Sequence, residues 1–266
     1  MPAPRIILAA VARERVTRVV AVGASNLTRG FHAVVGVARQ AWGPDVDVLV
    51  ALGNGRSFGS PSTYLARTLP GILHSGLWRE LESQPPAPTH ALVTDVGNDI
   101  LYGFPPAQIL GWVDECAARL GRFAQDIIVT GLPSATMSGL SPGRYLFFRS
   151  VFFPRCRLSF AQTMEAARTV QSGLEDLASR RGLRFVELKP EWYGLDPIHI
   201  RPGKVRLAWQ EILGGGAPGA SARRGTGREA LRLFCLQPER ASYLGVERHT
   251  PQRGRVLRAG GRVWLY

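Results

Sequence analysis

The chain has 266 residues, 45% hydrophobic and 20% charged, which excludes disorder throughout and suits one large α/β domain or a domain with an addition. No apolar run reaches the roughly 18 residues of a membrane-spanning helix, and residues 6–11 are too short for a secretory core before Arg13, Glu14 and Arg15, so a cytoplasmic protein is expected. The net charge of +13 rests on 31 Arg and only two Lys, Lys189 and Lys204, amid abundant Ala, Gly and Pro, which reads as compositional bias rather than a nucleic-acid-binding face.

Residues 16–23 form a β-branched run ending in Gly23, the pattern of a buried parallel strand. Residues 31–41 carry helical spacing, 47–52 a second strand, and 53–60 a Gly-rich loop. Residues 62–73 read as a helix through Tyr64, Leu65, Leu69 and Ile72. A Pro-rich linker precedes a strand at 90–96 and a helix at 105–123. A strand at 126–130, a long loop, a helix at 159–181, a strand at 183–188 and a helix at 202–213 complete the series. Alternating strands and helices imply a three-layer α/β/α sandwich around a mostly parallel, five-stranded sheet, with ligands bound beyond the carboxyl ends of the strands.

From Gly214 the texture changes. Residues 214–266 hold ten Arg against three Glu and begin with a linker-like run, while Gly260 and Gly261 centre a hairpin signal. The expected division is therefore an α/β domain over 1–213 and a small, basic, partly β extension over 214–266, whose removal would leave the first domain folded. Cys116, Cys156 and Cys235 are too scattered for a disulfide framework or a zinc site.

Each strand-end loop offers a chemical group. Ser25 follows the first strand and reads as a helix N-cap or an exposed hydroxyl. Gly53, Gly55 and Gly59 suit turns or an anion cradle. Asn98 can close an Asx-turn or donate its amide to an oxyanion. Asp196 and His199, three apart, share one side of a helical turn, where Asp can orient His.

Taken together, VVAVGASN, NGRSFG, VTDVGNDILYG and GLDPIHIRPGK resemble the four blocks of the SGNH (GDSL-like) hydrolase superfamily across roughly residues 16–213. Ala24 stands where that family usually carries Asp. The resemblance implies an esterase with Ser25 as nucleophile, His199 as general base and Asp196 orienting it. It implies an oxyanion hole from the Ser25 N–H, the N–H of Gly59 (in preference to Gly55) and the Asn98 side chain. No cofactor and no metal are implied, and the expected partner is a small-molecule ester, with no nucleic acid and no membrane span. The oligomeric state stays open.

The apolar run RYLFFRSVFFPRCR suggests substrate contacts from Phe148, Phe152 and Arg149, in a pocket wall, a lid or a buried helix. Two alternatives remain: an acyltransferase using the same residues, and a binding protein that keeps the fold without catalysis.

Overall fold

The computed structural model describes residues 16–214, 227–258 and 260–266; residues 6–11 and most of the linker-like run after Gly214 lie outside the described residues. β1 (Arg18–Val22) runs into α1 (Ser25–Trp42). β2 (Asp47–Ala51) is followed by the hairpin of β3 (Ser62–Tyr64) and β4 (Arg67–Leu69), then α2 (Leu77–Ser83). β5 (Thr89–Val93) leads to α3 (Asn98–Leu101) and α4 (Pro106–Leu120). β6 (Asp126–Thr130) leads to α5 (Ser134–Ser138), α6 (Pro142–Phe152) and α7 (Phe160–Arg181). β7 (Arg184–Val186) connects to α8 (Val205–Leu213), and the last part holds α9 (Gly227–Phe234), β8 (Arg240–Tyr243), β9 (Val246–His249), β10 (Arg255–Val256) and β11 (Arg262–Leu265).

The main sheet has the order β10-β11-β2-β1-β5-β6-β7, parallel throughout except for the β10–β11 pair. Successive side chains of each strand enter opposite layers, as period-two geometry requires. Val19, Ala21, Val48 and Val50 pack with α1 and α8. Val20, Val22, Leu49 and Val93 pack with α2, α4 and α7. Gly30 of α1 lies under the Trp209 indole of α8, where a Cβ would come within 2.0 Å of the ring nitrogen, so only glycine permits this approach. Among the described residues no helix is long and apolar enough to cross a membrane.

Two expectations need correction. Residues 62–73 are not a helix: they hold β3, β4 and a 3₁₀ turn. Pro61 precedes this stretch and Pro70 interrupts it, Leu65 turns it with φ +55°, and β4 pairs with β8 some 170 residues away by sequence, a partner that local periodicity does not reveal. The second correction concerns the C-terminal segment. It is not a detached appendage, because β11 lies parallel to β2 and brings the main sheet from five strands to seven. β11 continues the two-faced alternation, with Val263 and Leu265 in one core layer and Trp264 and Tyr266 in the other. The hairpin signal at Gly260 and Gly261 does correspond to the β10–β11 pair.

Trp264 is 4% exposed, so Trp264→Ala should lower the unfolding free energy in urea by about 3–5 kcal/mol. A chain ended at residue 258 would expose the β2 edge and should lose cooperative unfolding. Wild-type unfolding midpoints for both variants would show that β11 contributes nothing to the core.

Candidate active site

Four loops at the carboxyl ends of the strands meet over β1 and β5. The first turns from β1 into α1, where Ser25 is the first helical residue and Ala24 the N-cap, without a side-chain capping bond. The cap comes instead from Asp95, which follows β5. Its Oδ2 accepts the N–H groups of Ala24 and Leu27, both at 3.0 Å. A carboxylate is well placed there, since the first N–H groups of a helix lack helical partners and carry partial positive charge. Asp95 holds φ +62°, a left-handed conformation uncommon outside glycine.

Asn26 carries the connection onward. Its Nδ2 donates to Asp95 Oδ1 and to the Ile198 carbonyl, each at 2.9 Å, and its Oδ1 accepts the Ile200 N–H at 2.8 Å. The backbone on both sides of His199 is thereby tied to the turn that carries Ser25. His199 Nε2 lies 3.0 Å from Ser25 Oγ, and its Nδ1 lies 2.7 Å from Asp196 Oδ2. Asp196 Oδ1 accepts the N–H groups of Ile198 and His199 at 3.1 and 3.2 Å. Burial alone would raise the Asp196 carboxyl. The hydrogen bond and charge of His199, with those two backbone donors, hold it below the ordinary carboxylate range instead. A hydroxyl, an imidazole and a carboxylate in this chain can pass a proton from Ser25 to His199 while Asp196 fixes the ring.

Asn98 opens α3. Its amide nitrogen is buried and has no hydrogen-bond partner among the described residues. A buried donor left free beside Ser25 is suited to a developing negative charge. Ser25, Asn26, Asp95 and Asn98 line one pocket, together with Leu132, Met137, Leu140, Phe148, Arg149 and Phe152. The Phe152 ring meets the His199 ring edge-to-face at 5.1 Å. Arg149 donates to the Leu158 carbonyl at 3.0 Å and lies over the Tyr145 ring. The three residues expected to contact substrate therefore stand at the pocket.

Gly59 does not. Neither it nor Gly55 lines this pocket. A Cβ on Gly59 would lie 2.0 Å from the Trp112 ring, so this glycine admits close packing of α4. The loop is drawn inward by buried Asp99, which accepts the Phe58 N–H at 2.9 Å, and by fully buried Arg56, which donates to the Pro70 and Leu52 carbonyls. Gly55 has φ +64° and its carbonyl accepts the Tyr102 hydroxyl. Among the described residues no group of three or more His, Cys, Asp or Glu side chains could hold a metal ion.

Sequence reading missed Asp95 and Asn26. Both lie in recognised motif blocks, but their partners lie 68 to 174 positions away.

No family model matches the chain, and no curated protein matches it. Solved structures do. One is 17% identical, covering 75% of this chain and 99% of its own, with a TM-score of 0.50. The carbohydrate acetylesterase Est24 from Sinorhizobium meliloti is 17% identical over 73% of this chain and 96% of its own, with a TM-score of 0.48. A member of the lipolytic G-D-S-L family from Veillonella parvula is 13% identical over 74% and 97%, with a TM-score of 0.45. At these identities the likeness is one of fold.

Asp95→Ala should lower the unfolding free energy by about 2–4 kcal/mol, since it removes a charged acceptor shared by three donors; a loss under about 0.5 kcal/mol in urea titration would mean that the three N–H groups find other partners. Asp99 generates a pH prediction. Burial pushes its carboxyl from 3.8 up to about 6, against the hydrogen bonds of Ser57 and the Phe58 N–H. In that window the folded protein binds more protons than the unfolded chain. The stability linked to Asp99 is thus full below the window and falls as pH rises through it, by on the order of 3 kcal/mol. Asp99→Asn should abolish that fall in urea unfolding compared on either side of the window. Parallel pH dependences for variant and wild type would show that the carboxylate ionises without penalty.

Proposed function

We propose that the chain is a serine hydrolase of the SGNH (GDSL-like) type that cleaves carboxylic esters through an acyl-enzyme. The observation that carries this reading is the chain of contacts from Ser25 Oγ to His199 Nε2 at 3.0 Å and from His199 Nδ1 to Asp196 at 2.7 Å, ending beside the unpartnered Asn98 amide.

Ser25 Oγ attacks the ester carbonyl carbon while its proton passes to His199 Nε2. Asp196 keeps the other ring nitrogen as the donor and stabilises the imidazolium. The carbonyl oxygen gains the electron pair and is held by the Ser25 N–H and the Asn98 amide. As the first residue of α1, Ser25 has an N–H with no helical acceptor four residues back. The tetrahedral species collapses, the C–O bond breaks, and His199 returns its proton to the leaving alcohol. Water then repeats the sequence, with His199 taking its proton, to release the acid and restore Ser25. The apolar pocket wall of Leu132, Met137, Leu140, Phe148 and Phe152 suits the acyl part of the ester.

A fluorophosphonate probe should add once, at Ser25, and Ser25→Ala should abolish both labelling and hydrolysis of p-nitrophenyl esters. Asn98→Ala should lower kcat by about 10²–10³ with little change in KM, because its contact strengthens as the oxyanion forms. Equal labelling of Ser25→Ala would remove Ser25 as the nucleophile. A loss confined to KM would make Asn98 a ground-state contact.

A further inference from the structure

α6 has two apolar sides. Tyr145, Phe148 and Phe152, at helical spacing, face the protein, and all three line the pocket. On the other side Leu146, Phe147 and Val151 are 49, 63 and 57% exposed. Leu195, 86% exposed, is tied to α6, because the Arg144 guanidinium donates to its carbonyl at 2.7 Å. Leu195 also precedes the Asp196–His199 turn. The Phe147 ring touches Phe148 at 5.2 Å, so this apolar surface is continuous with the pocket wall. A soluble protein exposes such a patch beside a pocket when something covers it.

Charge identifies the cover. No Asp or Glu occurs between Asp126 and Glu165, while Arg144, Arg155 and Arg157 lie there and are exposed. Exposed aliphatic and aromatic side chains in a segment whose exposed charges are all arginines match an interface that is apolar inside and anionic at its surface. A second copy of the chain fits less well, since a two-fold contact would set arginines against arginines with no carboxylate between them.

We propose that the outer face of α6, with Leu195, is a docking surface for an anionic lipid bilayer, which seats the pocket mouth against the headgroup layer. Docking itself does not depend on the ester-hydrolase reading, so the two can fail separately.

The test uses the full chain and sedimentation with vesicles of phosphatidylcholine alone or mixed with phosphatidylglycerol. Binding to the mixed vesicles is expected, weakening as salt is added. Each basic residue near such a surface is worth about a fivefold gain, so the double variant Arg155→Gln, Arg157→Gln should bind roughly 30-fold less tightly. Phe147→Ser with Val151→Ser should also weaken binding at least tenfold, roughly the loss from withdrawing two side chains from the acyl boundary. Neither pair lines the pocket, so hydrolysis of a water-soluble short-chain ester should stay at the wild-type rate. Ser25→Ala should bind vesicles as wild type does; if wild type binds vesicles but cleaves no ester, docking stands and the hydrolase reading falls. Absence of vesicle binding would overturn the proposal, as would equal binding to both vesicle types. Sedimentation velocity showing a dimer that Phe147→Ser converts to monomer would assign the face to self-association instead.

Discussion

One carboxylate organises the junction on which the site depends. Asp95 stands at the end of β5, caps the helix that starts at Ser25, and holds Asn26, which in turn grips the backbone around His199. Three loops that share no local sequence are thus referenced to one anionic group. The left-handed backbone at Asp95 fits this picture, because a strained conformation persists only where surrounding contacts over-determine it. It also accounts for Ala24. The loop after β1 draws its capping carboxylate from the segment that follows the neighbouring strand β5. Capping from a distance leaves position 24 free to be small and fully buried.

The fold supplies a stiff base for this junction. β1 lies in the interior of the sheet, flanked by β2 and β5, and its five residues are all buried. The outer strand β11 shields β2, and the loop behind β2 is fixed by Arg56. Its guanidinium is fully buried, depressed to about 9 by burial, and bonded to main-chain oxygens of Leu52, Pro70 and Tyr266. A buried cation donating to these oxygens links the start of the loop, the residue after β4 and the residue after the last strand in one place.

The sequence was legible where local pattern and tertiary role coincide. β1, β2, β5, β6 and β7 are β-branched or apolar runs that periodicity marks, while the Asp196–His199 pair closes within a single turn and stood out only together with Ser25, the loop glycines and Asn98. Legibility failed where the deciding partner is remote. Residues 62–69 have apolar spacing compatible with a helix, yet β8 recruits them into a second sheet. The Arg and Gly content of the last fifth suggested a detached tail, although Trp264 and Tyr266 are buried in the core. Gly59 was chosen by motif spacing, and the Trp112 ring that leaves no room for a Cβ there lies on a helix that local pattern does not connect to it. Asp95 fell inside the strand expected at 90–96, and its acceptor work is done on other segments.

The Asp196–His199 unit and Ser25 depend on the polypeptide in different ways. The former is a single turn that holds itself by its own backbone donors. The Ser25–His199 contact joins residues 174 positions apart, and the Asn26 bond to the Ile198 carbonyl spans 172. Contacts of that sequence separation carry a loop-closure cost that local contacts do not. The hydroxyl and the imidazole therefore meet only where the folded sheet brings the ends of β1 and β7 together. Recovery of reactivity at Ser25 during refolding would then report completion of the whole sheet, a stricter criterion than return of helix content.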